Sequence, residues 1–469
     1  MFAYMQSLPF YRTKEEVLTK AKSANGHLIK EFNVNHRNIS LNNKGIIGQI
    51  IEEGVFGYPV NNRAEPDFAK LGIELKVTGL KQLKNKEFVA KERLVLNIID
   101  FFKEADTDFE HSSFWQKNRN LLLMFYLYKE SVSPEFYPII DSILYTYPLD
   151  ELKIIKDDWE YISNKIAKGE AHLLSEADTM YLAACTKGVN GEAVRLQPFS
   201  KIPAKQRAFC LKTSYLNQVI RDFYIDDKCE KMMSMEQIMH NTFEMAVKST
   251  VKKYIGWTKR QLEEKFGLIS NSKNVFEFIT ARMLDIKGKI NKTDEFVKAN
   301  IVCKTIRVEE NGRIIESMSF PNFTYMNLVN EDWSDSELRN MFYETKFMFA
   351  IFKKHGGEYQ FEGVKFWNMP LSVLDNEVFA VWKKTKEVIE EGNIISGIQR
   401  LSDGKARTIT NFPGMSFNGV CHVRPHAKNS EDTYDLPKPD KVTGQVKYTK
   451  HCFWLNNSYI EKIIGEKND

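Results

Sequence analysis

The sequence predicts an α+β protein made of two tandem domains, each with a mixed sheet flanked by helices. Three observations support this prediction. The chain has 469 residues, which is more than one hydrophobic core of ordinary size accommodates. Segments with helical spacing of apolar residues alternate with short segments typical of strands. Two short stretches of the first half also recur in the second half, in the same order, which indicates a duplicated domain.

Three helices are predicted in the first half. Residues 13–32 have helical spacing, interrupted by a turn at Gly26, and residues 44–52 form a short amphipathic helix that ends at a following glycine. Residues 151–168 carry apolar side chains at helical spacing, with Asp150 as the expected N-cap.

Three strands are predicted between these helices. Residues 72–78 alternate apolar and polar side chains, the period-2 pattern of a half-buried strand. Residues 94–101 and 121–128 are further strands, and the second is far shorter than the ~20 residues that cross a bilayer. A polar stretch near residue 230 is the expected boundary between domain 1–230 and domain 231–469.

The composition is that of a globular protein, with 43% hydrophobic and 27% charged residues. It excludes a disordered chain and a membrane-spanning one. The net charge of +4 allows a polyanionic partner only where basic residues cluster locally. The first residues lack a secretory signal, and the six cysteines form no C-x-x-C pair, so we expect reduced thiols and a cytoplasmic location.

The internal repeat involves two motifs. Residues 209–215 recur as residues 453–459 with four identities in seven, at an offset of 244. An Asp-x6-Glu-x-Lys motif at residues 67–76 has a degraded counterpart at residues 295–304, at an offset of 228. An apolar strand follows each copy of the second motif at a similar distance. The two offsets differ by 16 residues, which a loop insertion accommodates.

The first copy of this motif has the residue types that phosphodiester hydrolysis needs. Carboxylates hold divalent cations beside the scissile phosphate, and a nearby lysine orients water and stabilises developing charge. Glu74 and Lys76 point to the same face of the predicted strand, and Asp67 reaches that face from the preceding loop. Glu52, on the preceding helix, is a fourth candidate. An E-x-K pair alone is often only a solvated strand face, so the surrounding strand and helix strengthen the interpretation.

The same residues resemble a known family. Residues 45–52 (GIIGQIIE), followed by Asp67-Phe68 and the segment LGIELK at 71–76, are similar to the active-site region of the MutH family of DNA endonucleases. Other segments look like the larger, two-domain members of that family, type II restriction enzymes that cut at GATC. These segments are residues 91–99, 186–188, 204–209 and 421–426.

The resemblance implies two tandem domains with the MutH-like, restriction-endonuclease-like fold and a magnesium-dependent nuclease that leaves a 5′-phosphate. It implies that Glu52, Asp67 and Glu74 bind Mg²⁺ and that Lys76 assists catalysis. A further basic residue before the next long strand also assists in the family. Lys117 is the candidate here, with Arg119 close behind.

The second copy of the motif lacks the carboxylates of the first. Glu295 could still bind a cation, but Val302 stands where Glu74 stands, and Met283 is the expected counterpart of Glu52. We therefore expect that the second domain does not assemble a Mg²⁺ site. The resemblance implies that this domain is kept for DNA binding and regulation. Because the domain keeps Lys304 and a basic segment at 424–428, we hypothesise that it holds a second DNA segment.

Basic segments in both halves are candidates for DNA contacts. Flexible basic segments contact phosphates, and an Arg or Lys side chain can pair with guanine. A solvated basic loop is the alternative. Lys187 and Arg195 are the candidates for reading bases. The full set of predicted DNA-binding residues is Lys187, Arg195, Lys205, Arg207, Arg424 and Lys428, with Lys201, His426, Lys450 and His451 nearby.

Several alternatives remain open. His422 and His426, next to Cys421, superficially resemble a zinc or HNH site, but no second cysteine pair lies at zinc spacing. The aromatic residues fall mostly within apolar segments and are interpreted as core. A mismatch-repair nickase of the MutH type is the rival within the class, although it is about half this length. A DNA-binding regulator with a vestigial nuclease site is the rival outside it. A restriction enzyme would have double-stranded DNA as its partner, no membrane, and a separate cognate DNA methyltransferase.

Overall fold

The computed structural model describes residues 10–39, 45–60, 63–187, 193–225, 229–268, 274–400 and 406–466. The chain forms two compact units. One comprises Met1–Ala246 with Lys292–Asn300, and the other comprises Val247–Asn291 with Ile301–Asp469. Residues 231–246 and the short segment Lys292–Asn300 therefore pack with the first unit. The boundary between the two functional domains after residue 230 stays a prediction.

Helices and strands alternate along the chain as the sequence predicts. The helices are α1 Lys14–Lys22, α2 Ile46–Gly54, α3 Phe101–Glu104, α4 Ser113–Asn118, α5 Leu149–Ala167, α6 Thr213–Ile225, α7 Met235–His240, α8 Phe243–Lys252, α9 Lys259–Phe266, α10 Val275–Met283, α11 Asp294–Ala299, α12 Tyr325–Leu328, α13 Glu337–Glu344, α14 Leu371–Val373, α15 Phe379–Glu390 and α16 Asn457–Gly465. The strands are β1 Glu74–Gln82, β2 Phe88–Ala90, β3 Leu94–Ile98, β4 Asn120–Leu127, β5 Ile139–Thr146, β6 Leu182–Thr186, β7 Val194–Gln197, β8 Ser200–Lys205, β9 Arg207–Leu211, β10 Ile301–Val308, β11 Met318–Phe323, β12 Lys346–His355, β13 Glu358–Trp367, β14 Ile395–Arg400, β15 Ala406–Thr410, β16 Cys421–Pro425, β17 Thr433–Asp435, β18 Lys447–Thr449 and β19 His451–Leu455.

The first unit contains a mixed sheet with the strand order β2-β1-β4-β5. β1 and β4 are parallel, with Glu74 opposite Leu121, and the other pairs are antiparallel. Residues 121–126 of β4 are buried, which explains the apolar run in the sequence, because a central strand is covered on both faces. α2 packs against β1 through its buried isoleucines and so brings one helix face to the start of that strand.

A second sheet of the first unit is antiparallel, with the order β3-β9-β6. The β7–β8 hairpin lies between β6 and β9 in the chain. Asp158 of α5 accepts hydrogen bonds from the backbone N–H groups of Met180, Tyr181 and Leu182 at 2.7, 2.6 and 2.9 Å. This carboxylate therefore holds the start of β6 against the long helix.

The second unit repeats this topology. β10 and β12 are parallel, β12 and β13 are antiparallel, and Val302 lies opposite Phe347 as Glu74 lies opposite Leu121. The sheet β11-β19-β16 has the strand order and directions of β3-β9-β6. Leu455 therefore occupies the position of Leu211, the same offset of 244 that the sequence repeat has. Strand order and register in the second unit thus agree with the duplication that the sequence repeat indicates.

Three details of the sequence prediction were wrong. Pro148, not Asp150, precedes the first turn of α5, and Asp150 instead lies inside that turn and forms an ion pair with Lys231. The predicted helix at 13–32 is shorter, because α1 ends at Lys22 and the chain continues into turns. The second copy's counterpart of Glu52 is Ala281 rather than Met283, because α2 and α10 match in length and in buried positions. Among the residues that the structure describes, no helix is both long and apolar enough to cross a membrane.

Candidate active site

The predicted carboxylates meet at the start of β1. The turn before the strand folds back on itself, with the Phe68 N–H donating to the Ile73 carbonyl at 2.9 Å. Asp67 is thereby placed beside Glu74, and its backbone N–H donates to Glu74 Oε2 at 3.2 Å. Asp67 Oδ2 accepts from the backbone N–H of Leu75 at 2.9 Å. Both carboxylates are thus fixed by backbone groups of the same turn.

Gly72 makes this turn possible. Its φ of 63° lies in the left-handed region, where a side chain is strained. A Cβ atom there would also lie 2.8 Å from Nη2 of Arg119. Arg119, the second basic candidate from the sequence, therefore packs against the turn. The next residue, Asn120, donates to the Gly72 carbonyl at 3.1 Å.

Two lysines reach the Glu74 carboxylate. Lys76 Nζ lies 3.0 Å from Glu74 Oε1 and donates to the Leu96 carbonyl of β3 at 2.7 Å. Lys117 Nζ, from α4, lies 3.6 Å from the same carboxylate oxygen and donates to the Arg63 carbonyl at 3.0 Å. The structure therefore brings Lys117 to the predicted site, as the resemblance implies for a basic residue before the next long strand.

Glu52 completes the group from α2. Burial raises the pKa of Glu52 to about 7, and the negative charges of Asp67 and Glu74 add to this rise. Burial also raises the pKa of Asp67 to about 6, with a further contribution from Glu74, while the Leu75 N–H, Lys76 and Lys117 oppose it. The carboxyl groups are close enough to repel one another, which a bound cation would relieve.

No preformed metal cage is present within the described part of the chain, where no three His, Cys, Asp or Glu side chains are arranged to hold an ion. Each oxygen of Glu74 accepts one hydrogen bond, Oε1 from Lys76 and Oε2 from the Asp67 N–H. The donor set suits Mg²⁺, which prefers carboxylate oxygens. Because each carboxylate oxygen has two lone pairs, these hydrogen bonds leave Glu74 able to bind an ion.

The predicted DNA-binding residues of the first unit differ in accessibility. Arg195 and Lys205 are exposed on the β7–β8 hairpin, and Lys187 is half-buried just after β6. Arg207 is only 1% exposed. Its guanidinium donates to the carbonyl of Ala184 at 2.7 Å and to that of Leu174. The prediction of Arg207 as a DNA contact was therefore wrong, because this side chain ties β9 to the interior.

The second copy of the sequence motif lacks two of the three carboxylates of the first copy. α2 and α10 are both nine residues long with matching buried positions, and this alignment places Ala281, not Met283, at the position of Glu52. Val302 is the counterpart of Glu74 by strand register. Glu295 lies on α11, where its carboxylate accepts from the N–H groups of Met232 and Met233 at 3.0–3.1 Å. The expectation that Glu295 could bind a cation is not supported, because its carboxylate is engaged by backbone groups.

Arg424 and Lys428, the predicted DNA-binding residues of the second unit, are both exposed. The guanidinium of Arg424 lies over the Trp454 ring of β19, 3.9 Å from its centre, which is a cation–π contact. His422 is buried, and its Nδ1 lies 2.5 Å from Asn456 Oδ1. The zinc interpretation is thus not supported by any cluster of ligands in the described residues.

Three contributors to these sites were missed from the sequence. The carbonyls of Leu96 and Arg63 position the lysines, but a backbone acceptor leaves no signal in side-chain patterns. Trp454, which supports Arg424, lies within the repeated segment 453–459. Its stacking role follows from strand pairing with His422, which the sequence did not specify.

The fold and the comparisons define a class of protein, the MutH-like DNA endonucleases. The family model described as "DNA mismatch repair enzyme MutH" matches residues 56–158, which include Asp67, Glu74, Lys76 and Lys117. The chain is 36% identical to the type II restriction enzyme Sau3AI of Staphylococcus aureus, over 97% of this chain and 99% of the relative. The chain therefore belongs to the family of type II restriction endonucleases that includes Sau3AI.

Relatives described as DNA mismatch repair protein MutH match a smaller part of the chain. The DNA mismatch repair protein MutH of Shewanella woodyi is 28% identical over 39% of this chain and 79% of its own length. The MutH protein of Actinobacillus pleuropneumoniae is 22% identical over 47% of this chain and 98% of its own length. The MutH similarity thus extends over about half of the chain, whereas the Sau3AI similarity extends over nearly all of it.

Proposed function

We propose that this restriction endonuclease cuts both strands of duplex DNA at GATC, with Mg²⁺ held by Glu52, Asp67 and Glu74. The observation that carries the proposal is the convergence of these three carboxyl groups with Lys76 and Lys117 at the start of β1. A bound Mg²⁺ ion would activate water and neutralise charge on the scissile phosphate. The GATC specificity rests on the resemblance to the two-domain members of the family.

The protein's own side chains have distinct roles in this proposal. Asp67 and Glu74 present carboxylate oxygens that are oriented by the turn before β1. Lys76 is held at the Leu96 carbonyl, where its ammonium group orients the attacking water and stabilises charge that develops on the phosphate. Lys117 adds a second positive charge on the same side of Glu74.

DNA binding is proposed for exposed basic residues of both units. In the first unit, Lys187, Arg195 and Lys205 contact the duplex, with the first two as the base-reading candidates. In the second unit, Arg424 and Lys428 hold a second DNA segment, since this unit lacks the acids for catalysis. Such an enzyme would act on foreign DNA in the cytoplasm beside a separate cognate methyltransferase.

A plasmid assay tests the proposal. Purified full-length protein with Mg²⁺ should convert a plasmid to a ladder of fragments that end at GATC, and EDTA should prevent it. A plasmid methylated at GATC, run in parallel, shows whether methylation protects. Nicked circles as the only product would favour a MutH-type nickase, and DNA binding without any cleavage would favour a regulator.

A further inference from the structure

The β7–β8 hairpin of the first unit presents apolar side chains to solvent. Val194, Leu196, Phe199 and Ile202 are 55%, 71%, 81% and 55% exposed. Such a concentration of exposed apolar side chains on one hairpin is unusual for a surface that remains in water. It indicates that this ribbon is covered by a partner.

The end of the hairpin is strained. Pro198 and Phe199 form the two-residue turn between β7 and β8, and the φ angle of Phe199 is 60°. Glycine or asparagine is the usual residue at a turn position with positive φ, because a bulky side chain costs free energy there. Burial of the Phe199 side chain does not offset this cost, because the side chain is 81% exposed. Strain of this kind is concentrated at functional sites.

The backbone beneath Phe199 is firmly held. Gln197 is buried, and its side chain donates to the Ile202 carbonyl at 2.6 Å and accepts from the Ala171 N–H at 2.8 Å. The Phe199 carbonyl packs so closely on Gly169 that a Cβ atom there would lie 2.8 Å from its oxygen. The ribbon is therefore a rigid support from which the phenyl ring projects.

The charge of the hairpin identifies its partner. Residues 193–206 contain Arg195, Lys201 and Lys205 and no acidic residue, and all three basic residues are exposed. A polyanion is the complementary partner for such a surface. The major groove of DNA admits a two-stranded ribbon, and several proteins insert an apolar side chain between base pairs.

The hairpin also lies close to the catalytic lysine in the fold. It leads into β9, which pairs with β3, and the Ile99 N–H donates to the Arg207 carbonyl at 2.9 Å. β3 provides the Leu96 carbonyl that binds Lys76, three residues before Ile99 and so ~10 Å along an extended chain. A duplex that reaches Lys76 thus passes near the root of the hairpin.

From these observations we propose that the β7–β8 hairpin enters a groove of the substrate duplex and that Phe199 inserts between neighbouring base pairs as an apolar wedge. This inference rests on the proposed function, because it assumes that duplex DNA is the substrate. The flanking Lys201 and Lys205 hold the phosphates on either side, and Arg195 remains the base-reading candidate of the hairpin.

The test uses the full-length protein in EDTA, so that DNA is bound but not cut. A set of duplexes carries 2-aminopurine at each position in turn across one GATC site and its flanks, because unstacking raises the fluorescence of this base. We expect a several-fold rise at one step with the wild type. Phe199→Gly should remove the rise and weaken binding about 10-fold, the scale of one aromatic–base stack.

Two further variants distinguish loss of the wedge from loss of the fold. Phe199→Gly should keep the melting temperature, because glycine tolerates the positive φ angle. Phe199→Trp should retain the fluorescence rise. Phe136→Ala is the matched control, since Phe136 is also an exposed phenylalanine of the first unit, 45% accessible and packed on Lys30. It should behave as the wild type.

Other outcomes are equally informative. Binding without a fluorescence rise at any position, or an unchanged rise with Phe199→Gly, overturns the wedge. A change from dimer to monomer with Phe199→Gly in sedimentation, without a change in fluorescence, would assign the apolar face to a second copy of the chain. Failure of the wild type to bind any duplex would instead contradict the proposed function.

Discussion

Lys76 Nζ lies 3.0 Å from Glu74 Oε1 on one face of β1, so the two residues of the E-x-K pair are in direct contact. Both side chains are largely buried, at 13% and 5% exposed. In this arrangement the lysine satisfies the carboxylate that the proposal assigns to the metal. Because each carboxylate oxygen has two lone pairs, Glu74 could bind Mg²⁺ while Lys76 keeps its contact and stays beside the ion.

The first prediction concerns this pair. Lys76→Ala, Glu74→Ala or Asp67→Ala should each lower the cleavage rate by ~10²-fold or more, the scale of losing one preorganised electrostatic contact. Lys304→Ala is the matched control, because Lys304 occupies the position of Lys76 in the strand register of the second unit. It should cut at the wild-type rate. Single-turnover cleavage of a one-site duplex measures the rates of the three site variants and of the Lys304→Ala control. A Glu74→Ala variant that cuts at the wild-type rate would contradict the site assignment.

A second prediction follows from the raised pKa values of Glu52 and Asp67, about 7 and about 6. An acid whose pKa is higher in the folded state than its ordinary value of about 4 stabilises the fold at low pH. That contribution is lost as the pH rises toward 7. Without metal, Glu52→Gln should therefore melt near the wild-type temperature at pH 5 and a few degrees above it at pH 8.

The same carboxyl groups must lose their protons before they can bind Mg²⁺. The Mg²⁺ concentration needed for half-maximal cleavage should consequently fall as the pH rises from 6 to 8. Glu52→Gln should be inactive throughout this range although it is the more stable protein at pH 8. A melting difference between Glu52→Gln and wild type that does not depend on pH would contradict the assignment of the raised pKa to Glu52.

The third prediction separates two basic residues that are adjacent to the same hairpin. Lys205 is exposed, so Lys205→Ala should weaken binding to all duplexes and reduce the salt dependence by about one unit of slope. Arg207 is buried and donates to the carbonyls of Ala184 and Leu174. Arg207→Ala leaves these acceptors without their donor, which costs about 1–3 kcal/mol for each group. It should lower the melting temperature by several degrees.

Filter binding over a salt series and thermal melting measure the two effects separately. Arg195→Ala serves as the base-reading comparison and should reduce the preference for the cognate duplex over a scrambled one. If Arg207→Ala melts as the wild type does and only weakens DNA binding, Arg207 is a DNA contact after all.

The sequence predicted the arrangement of side chains within one strand but not the contacts between elements that are distant in the chain. Side-chain alternation along a strand is a local property, and it placed Glu74 and Lys76 on one face correctly. Lys117 was found through the resemblance alone, because a residue on α4 meets β1 only in the folded chain. Arg207 was predicted to be a surface residue because a charged side chain is ordinarily exposed. Its hydrogen bond to the Ala184 carbonyl, 23 residues away in the sequence, forms only in the folded chain.

The errors in the second half have a similar origin. The counterpart of Glu52 is Ala281 rather than Met283, and no repeated sequence motif covers this helix to fix the alignment. Matching helix ends and burial patterns correct this shift. The exposure of Phe199 could not be predicted either, since a phenylalanine side chain is ordinarily buried.

The last prediction concerns the role of the second unit. Its site has lost the acids at Ala281 and Val302, while Arg424 remains exposed and stacked 3.9 Å from Trp454. We expect this residue to hold a second DNA segment whose binding activates the first unit. Coupling between two sites of ~1–3 kcal/mol corresponds to a several-fold to hundred-fold effect on rate. A plasmid with two GATC sites should therefore be cut faster per site than a plasmid with one site.

The double variant Arg424→Ala, Lys428→Ala in the full-length chain should abolish this difference between the plasmids but keep the slow rate on the one-site plasmid. Trp454→Phe should preserve the difference. Equal rates on both plasmids with the wild type would leave the second unit without an activating role, and loss of the one-site rate in the double variant would instead place Arg424 and Lys428 in primary substrate binding.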